Sequence, residues 1–333
     1  MTASNPIDSP PTQSLRVARK TQLARDIVEF ELRDPDALEL PAFSPGAHIT
    51  VTTPSGANRY YSLSNDPGER DRYVIAVKRD AAGRGGSISM TDELGEGDMI
   101  TVTAPRNEFA LNERARSFVF VAGGIGITPV LSMMRYLSST DGPRFKLVYL
   151  TREPADTAFL DELRGEEWGS RVTIHHDHGD RGNAFDLWTL FEKPASGAHV
   201  YCCGPRPLMD SVRDMTGHWP QGSVHFESFG VDQALRAQNR PFKVRLERTA
   251  STLNIPADRS ILEVLRDNGI RTPSSCESGT CGSCRSTLCA GEAEHRDMVL
   301  TEDEKASQIM ICVSRAKIRP DAPEDAPELV IDL

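Results

Sequence analysis

The chain has 333 residues, which is too long for one ordinary hydrophobic core and predicts two or three domains. Its formal net charge of −10 argues against nucleic acid as a partner, because such proteins need a basic surface. No stretch approaches the roughly twenty consecutive apolar residues that a membrane-spanning helix requires. Residues 1–13 are polar, lack a secretory pattern and are interpreted as a frayed leader, which predicts a cytoplasmic protein.

The first part of the chain, from residue 15 to about residue 112, consists of short strand-like runs. Residues 47–53 and 73–79 are rich in β-branched side chains, and turns rich in glycine and proline separate such runs. Short strands with frequent turns are typical of a small antiparallel barrel.

The pattern changes at Ser117. Residues 118–122 form a continuous apolar run, as expected of a strand that is buried on both faces. A glycine turn follows, and then a helical pattern from Thr128 to about Leu137. Further strands are predicted at residues 145–150, 171–174, 199–202 and 224–226, with a helix around 158–163. Strands that alternate with helices predict a parallel, doubly wound sheet.

The last part of the chain begins after a polar segment that resembles a linker. Residues 242–246 alternate as a strand does, and residues 251–255 are predicted to be their hairpin partner. Ser260 and Glu263 have the spacing of a capping box, which predicts a helix that ends at Gly269. A final strand is predicted at residues 329–331.

Four of the seven cysteines have the spacing of an iron–sulfur site. Cys276, Cys281 and Cys284 follow the pattern C-x4-C-x2-C, and Cys312 comes after a further 27 residues. This is the plant-type [2Fe–2S] spacing. Zinc is a weaker interpretation, since zinc sites use two short Cys or His pairs and no second pair is present. A thioredoxin-like dithiol would follow a strand of a βαβ unit, which this region is not.

Cys289 competes with Cys312 for the fourth ligand position. It lies five residues after Cys284, in an apparent strand. We prefer Cys312 because a distant fourth ligand fits the plant-type pattern, and we predict that Cys289 is a buried free thiol.

Two further motifs suggest phosphate and nucleotide binding. A loop with four glycines or small residues around Arg84, at residues 83–88, offers N–H groups that could form a phosphate nest, although a flexible hairpin is the alternative. The segment 123–129 follows a buried strand and opens a helix, where a nucleotide phosphate would lie. Its glycines could instead serve close packing alone. Residues 203–205 follow another strand at the same sheet edge.

Together these motifs resemble the ferredoxin–NADP-reductase superfamily, and within it the phthalate dioxygenase reductase branch. The order R-x-Y-S, G-R-G-G-S, G-G-I-G-I-T-P, C-G-P and C-x4-C-x2-C…C carries the resemblance, which covers residues 15–333. It implies a multidomain fold in four segments: an FMN-binding antiparallel β-barrel domain at 1–113, an NAD-binding α/β doubly wound domain at 114–230, a linker at 231–241 and a β-grasp ferredoxin domain at 242–333.

The resemblance also implies which residues hold the cofactors FMN, NADH and [2Fe–2S]. Those implied for FMN are Arg59, Tyr60, Tyr61, Ser62, Arg84, Gly85, Gly86, Ser87, Ile88 and Phe229. Those implied for the nucleotide are Gly124, Thr128, Pro129, Thr151, Arg152, Asp177, Cys203, Gly204 and Pro205. Tyr60 departs from the small hydroxyl residue that is frequent in the branch, and Asp177 would favour NADH by repelling the additional phosphate of NADPH.

The implied activity is electron transfer from NADH through FMN and the cluster to a separate Rieske-type aromatic-ring oxygenase or demethylase, which would act on aromatic acids and similar small molecules. Ser62, Cys203, Glu227 and Phe229 are predicted nearest the contact between nicotinamide and flavin. The three polar ones would act as shaping groups and not as acid or base, and Phe229 would cover the flavin. The alternatives are a stand-alone NADH:acceptor oxidoreductase that reduces quinone or ferric iron, and a redox sensor. The expected oligomeric state is a monomer.

Overall fold

The computed structural model describes residues 11–83, 85–229, 238–318 and 327–333. The chain divides into two compact units, Met1–Glu227 and Ser228–Leu333. Arg84, most of the predicted linker and residues 319–326 lie outside the described residues. Within the described ranges, no helix is both long and apolar enough to cross a bilayer.

The first sheet of unit one has six antiparallel strands in the order β4-β3-β6-β1-β2-β5. Their bounds are β1 Thr12–Ala24, β2 Ile27–Arg33, β3 His48–Thr52, β4 Asn58–Ser62, β5 Tyr73–Lys78 and β6 Met99–Thr103. A bridge between Leu63 and Ile75 joins the two outer strands and closes the barrel. Since β1 begins at Thr12, the prediction of a frayed leader through residue 13 is wrong for its last two residues.

The barrel contains one helix that the sequence did not predict. Helix α1, Gly86–Glu93, occupies the segment that begins in the glycine-rich loop. Its Met90 side chain is fully buried in the barrel core. Packing of this side chain therefore stabilises a helix whose serines, threonine and glycine favour it little.

The second sheet of unit one has five parallel strands in the order β11-β10-β7-β8-β9. Its strands are β7 Ser117–Gly123, β8 Arg144–Thr151, β9 Val172–His176, β10 Ala198–Cys203 and β11 Val224–Glu227; its helices are α2 Ile127–Ser139, α3 Leu160–Leu163, α4 Trp188–Phe191 and α5 Arg206–Met215. The chain leaves β7 toward β8 and returns on its other side at β10. Ligands of open α/β sheets bind at such a reversal of strand order.

The helix predicted around residues 158–163 forms only as α3. Phe159 has a left-handed φ of 58°, which no regular right-handed helix contains. Its ring is buried in the core of this sheet. Burial of the aromatic ring thus coincides with the late start of the helix.

Unit two contains a five-stranded mixed sheet in the order β13-β12-β18-β14-β16, and a two-stranded β15-β17 pair. Its elements are β12 Phe242–Leu246, β13 Thr252–Ile255, α6 Ile261–Asp267, β14 Arg285–Ala290, β15 Ala293–Glu294, α7 Glu302–Lys305, β16 Gln308–Met310, β17 Arg315–Ala316 and β18 Glu328–Ile331. The predicted hairpin of β12 and β13 is confirmed. So is the capping box, in which Ser260 accepts from the Glu263 N–H and Glu263 accepts from the Ser260 N–H.

Candidate cofactor sites

The barrel brings an arginine against the first turn of α1. A Cβ placed on Gly86 would lie 2.7 Å from Nε and 3.0 Å from Cζ of Arg59, so only glycine allows this approach. Gly85 precedes the helix with a left-handed φ of 80°, and no side chain caps the helix. The N–H groups of a first helical turn have no intrahelical acceptor. A guanidinium beside these N–H groups suits a phosphate dianion.

Ser87 adds a hydroxyl to this phosphate cradle. Its Oγ accepts a hydrogen bond of 3.1 Å from the Asp80 N–H, which leaves the hydroxyl proton available to donate. Ile88 follows in the same turn with a half-buried side chain. Arg84, the other arginine predicted for this site, lies outside the described residues.

The two tyrosines of β4 have different surroundings. The Tyr61 ring packs against the barrel core, and its hydroxyl is buried without a partner in the described part of the chain. Burial raises the pKa of Tyr61 to about 12, opposed by the nearby charge of Arg59. Tyr60 points to the other face of the strand, where its ring meets His48 edge-on at 5.5 Å. The orphaned Tyr61 hydroxyl is the kind of group that a bound cofactor would satisfy.

A buried polar cluster lies where the barrel meets the parallel sheet. Ser62 Oγ donates to Glu227 Oε2 over 3.2 Å, although these residues are 165 positions apart in the chain. Burial raises the pKa of the Cys203 thiol, and the nearby Glu227 charge raises it further. Cys203 is therefore a neutral thiol. Three of the residues predicted at the nicotinamide contact are thus brought together, whereas Phe229 belongs to unit two and is 47% exposed.

Glycines bring the loops after β7 and β10 into backbone contact. A Cβ on Gly126 would lie 2.5 Å from the Cys203 carbonyl carbon and 2.9 Å from the Gly204 nitrogen. A Cβ on Gly123 would lie 2.6 Å from Cδ of Pro205. Sequence reasoning did not assign Gly123 and Gly126, although their spacing after a buried strand was the available signal. The two loops together form the switch-point crevice of the sheet.

The side chains at this crevice are small or buried. Gly124 has a left-handed φ of 54°, and apart from its chain neighbours no heavy atom of the described residues lies within 4 Å of the position that a Cβ would take. Thr128 is buried and donates to the Ile125 carbonyl over 3.1 Å, while Pro129 is buried in the first turn of α2. The open side of Gly124 is therefore a place where a phosphate could approach the backbone closely.

The carboxyl ends of β8 and β9 carry the residues predicted for the adenosine half of the nucleotide. Thr151 is buried and pairs with Thr157 and with Nδ1 of His176, both at 2.8 Å. Asp177 is half-buried, and its Oδ1 accepts from the Gly179 N–H over 2.8 Å. Its second oxygen is the one that could accept from a ribose hydroxyl. Arg152 is exposed beside this edge.

The four predicted cluster ligands come together in two pairs. Hydrogen bonding between the Cys276 and Cys281 thiols lowers the pKa of Cys276 to about 4, and bonding between Cys284 and Cys312 lowers the pKa of Cys284. The N–H groups of Cys276 and Ser278 donate to sulfur over 3.4 and 3.5 Å. In the described ranges no three His, Cys, Asp or Glu side chains converge on one point, as a mononuclear ion would require. Four cysteine sulfurs beside a loop that also offers backbone N–H donors instead suit an iron–sulfur centre, so these residues fit a [2Fe–2S] cluster.

Cys289 lies apart from these pairs. It is exposed on β14. Along this strand Thr287 is exposed, Leu288 is buried and Cys289 is again exposed. The prediction that it is a buried free thiol is therefore wrong in its burial, because the alternation of the strand turns this side chain outward. It is a free thiol.

Three family models match successive parts of the chain. They are an oxidoreductase FAD-binding domain at residues 14–111, an oxidoreductase NAD-binding domain at 120–214 and a 2Fe-2S iron-sulfur cluster binding domain at 244–317. The phthalate 4,5-dioxygenase oxygenase reductase subunit of Pseudomonas putida is 64% identical over 318 residues, which cover 95% of this chain and 98% of that protein. This chain belongs to the phthalate dioxygenase reductase family.

Further comparisons agree with this membership. The phthalate dioxygenase reductase of Burkholderia cepacia is 60% identical over 319 residues, 96% of this chain and 97% of that protein. A solved phthalate dioxygenase reductase, described as a modular structure for electron transfer from pyridine nucleotides to [2Fe-2S], is 60% identical and has a TM-score of 0.77, covering 97% and 98% of the two chains. The predicted fold class is confirmed.

As a member of the phthalate dioxygenase reductase family, the chain is an NADH-dependent iron–sulfur flavoprotein oxidoreductase. Its cofactors are FMN, NADH and a [2Fe–2S] cluster, as the sequence predicted. When bound, the flavin takes a hydride from NADH and passes single electrons to the cluster.

Proposed function

We propose that this reductase supplies electrons to a separate Rieske-type oxygenase that acts on an aromatic acid, and that it works in the cytoplasm as a monomer. One observation carries the proposal. The chain is similar over nearly its whole length to reductase subunits of phthalate dioxygenases, and it ends in an iron–sulfur domain suited to a one-electron acceptor. The contact with such a partner is transient, as redox partners bury little surface.

The proposed flavin residues divide by the part of FMN that they would hold. Arg59 and the first turn of α1 would bind the phosphate, with Gly85, Gly86, Ser87 and Ile88 providing N–H groups and one hydroxyl. Tyr61 would donate its buried hydroxyl to the flavin. Tyr60, Arg84 and Phe229 stay predictions for this site. The proposed barrel domain spans residues 1–113.

The proposed nucleotide residues line the crevice between β7 and β10. Gly124, Thr128 and Pro129 would face the pyrophosphate, with Cys203, Gly204 and Pro205 opposite. Thr151, Arg152 and Asp177 would hold the adenosine half, and the Asp177 carboxylate would select NADH by repelling a 2′-phosphate. The proposed nucleotide domain spans residues 114–230, followed by a linker at 231–241.

The polar cluster of Ser62, Cys203 and Glu227 is proposed to orient the nicotinamide beside the flavin. Glu227 accepts a hydrogen bond from the Ser62 hydroxyl, which fixes the direction of that hydroxyl. Cys203 is fully buried and remains a thiol, a small and polarisable group. None of the three needs to transfer a proton for a hydride to move.

The proposed cluster ligands are Cys276, Cys281, Cys284 and Cys312, in a ferredoxin domain that spans residues 242–333. These four residues would hold the cluster, which would supply one-electron transfer. The sulfur atoms also accept backbone N–H groups, which tunes the reduction potential of such clusters.

Reconstitution with an oxygenase tests the proposed function. Purified, fully loaded reductase is mixed with NADH, an aromatic acid and a Rieske-type phthalate oxygenase, and the hydroxylated product is measured. We expect product only when both proteins are present. Fast NADH-driven reduction of a quinone, without product in the presence of any Rieske-type oxygenase, would instead identify a stand-alone oxidoreductase. Light scattering of the same sample tests the monomer.

The Tyr61→Phe variant tests the flavin assignment. Removing an unsatisfied buried hydroxyl should leave the free energy of unfolding of the flavin-free protein unchanged or raise it by up to about 1 kcal/mol. The affinity for FMN should fall roughly fivefold to tenfold, since one hydrogen bond is worth about 1 kcal/mol. Chemical denaturation and FMN titration measure the two effects.

Tyr73→Phe is the matched control for this variant. Tyr73 is buried in the same barrel, but its hydroxyl already donates to the Pro41 carbonyl over 2.6 Å. Its loss should cost about 1 kcal/mol of stability and leave FMN affinity unchanged. Equal FMN affinities for Tyr61→Phe and the unmodified protein would contradict the proposed contact.

A further inference from the structure

Segment 293–300, between the third and fourth cysteines, contains a buried carboxylate that the cofactor assignments leave unexplained. The Asp297 side chain has no exposed surface. Its Oδ2 accepts the N–H groups of Val299 and Leu300 over 3.1 and 2.8 Å. Its Oδ1 is buried and has no partner among the described residues. Burying a carboxylate oxygen without a hydrogen-bond donor costs free energy of folding. A functional role for Asp297 would explain why such a group is present.

A titratable atom close to Oδ1 of Asp297, Nδ1 of His295, also lacks a hydrogen-bond partner among the described residues. Nδ1 of His295 lies 3.8 Å from Oδ1 of Asp297, which is too far for a hydrogen bond, and it is also buried without a partner in the described ranges. Arg296, between them in the chain, directs its guanidinium to Glu294 and Asn239 at 2.9 and 2.8 Å. The nearby cation is therefore engaged with groups other than Asp297.

Asp297 lies directly against the cysteine loop. A Cβ on Gly279 would lie 3.2 Å from Cα and 3.4 Å from Cβ of Asp297, and the Gly279 carbonyl accepts from the Met298 N–H over 2.9 Å. Gly279 stands between the first two cysteines and has a left-handed φ of 80°. A Cβ on Gly279 would also lie 2.8 Å from Cγ2 of Val313, the residue that follows Cys312. One glycine thus connects the Asp297 segment to the chain beside the fourth proposed ligand.

The same segment also holds the chain that follows Cys312. The Arg296 N–H donates to Oγ of Ser314 over 3.4 Å. Strand β15, just before Arg296, pairs with strand β17, just after Ser314. Segment 293–300 is therefore bonded to both stretches that carry cysteines. A displacement of Asp297 would be transmitted to both.

We propose that Asp297 is a charge-setting residue of the iron–sulfur centre. Its carboxylate accepts the N–H groups of the turn at 297–300, which packs against Gly279 beside Val313, and its negative charge lies in a buried environment beside the cysteine loop. A fixed negative charge opposes the addition of an electron to a nearby centre, and burial weakens the screening of that charge. Asp297 therefore lowers the reduction potential of the cluster. The inference rests on the four proposed cysteine ligands, and it is independent of the oxygenase partner.

Two neutral variants test this role in the full-length, FMN-loaded protein. In Asp297→Asn the side-chain oxygen can still accept the Val299 and Leu300 N–H groups, and the new amide faces His295. Asp297→Ser keeps a shorter acceptor for the same turn. We expect both variants to load the cluster and to shift its midpoint potential to higher values, measured by a redox titration that is followed by electron paramagnetic resonance.

The matched control is Glu294→Gln, which removes one negative charge from the same segment. The Glu294 side chain is 41% exposed and pairs with Arg296, so solvent screens its charge and the potential should move less than in either Asp297 variant. A neutral variant with a full cluster and an unshifted potential would overturn the proposal. So would loss of the cluster from both Asp297 variants while Glu294→Gln stays loaded, which would leave Asp297 a structural cap. A wrong ligand assignment would appear separately, as a full cluster in Cys312→Ser.

Discussion

Replacing Cys312 with serine should remove almost all of the cluster, from about two irons per chain to near zero. Cys312 is buried and is one of the four proposed ligands, so its loss would leave the cluster with three proposed thiolates. Iron and sulfide content and the visible absorbance of the purified variant measure the effect. NADH-driven reduction of ferricyanide through the flavin should persist, whereas electron delivery to an oxygenase should stop.

The control variant is Cys289→Ser, which replaces the cysteine that was the alternative candidate for the fourth cluster ligand. Cys289 is exposed on β14, and we expect its serine variant to keep the full cluster and full coupling to the oxygenase. A loaded cluster in Cys312→Ser together with an empty one in Cys289→Ser would reverse the ligand assignment.

Gly126→Ala should reduce kcat/KM for NADH by about ten- to a hundredfold. The added Cβ would overlap the Cys203 carbonyl group and come within 2.9 Å of the Gly204 nitrogen, so the two nucleotide loops must separate. Overpacking of this kind costs about 1–3 kcal/mol, and each 1.4 kcal/mol corresponds to a factor of ten. Stopped-flow measurement of flavin reduction at several NADH concentrations distinguishes weaker binding from slower hydride transfer.

Gly217→Ala is the control, since its Cβ would meet only the Asp214 carbonyl oxygen at an ordinary 3.7 Å. It should keep NADH kinetics within about twofold of the unmodified protein, and both variants should retain FMN and the cluster. If Gly126→Ala reduces its flavin as fast as Gly217→Ala at every NADH concentration, close approach of these loops is not what shapes the nucleotide site.

Patterns that depend on neighbours in the chain were readable from the sequence. The barrel, the parallel sheet and the capping box at Ser260 were predicted because strand alternation, apolar runs and cap spacing are local properties. Helix α1 was missed because its stability comes from burial of Met90 in a core formed by distant strands. The late start of α3 at Leu160 was missed for a similar reason, since it follows the packing of Phe159.

The sites divide in the same way. Spacing alone predicted the C-x4-C-x2-C loop, and the structure brings Cys276 and Cys281 together within it. The close approach of Gly126 to Cys203 and the bond between Ser62 and Glu227 join residues far apart in the chain, which only the folded topology reveals. No local pattern singles out Asp297, because its significance lies in an oxygen atom that no side chain or backbone group among the described residues satisfies.

The spacing of the four proposed ligands along the chain bears on the folding and the stability of the iron–sulfur domain. Cys276 and Cys281 enclose a short loop, but Cys284 and Cys312 enclose 27 residues, including β14, α7 and β16. A bound cluster would therefore act as an inorganic cross-link in this domain. On the chain-entropy model, a covalent tie across a loop of this length stabilises a fold by about 3.5 kcal/mol. Insertion of the cluster and folding of the domain around it would then be coupled. Removal of the iron would destabilise the domain and would also stop electron transfer through it.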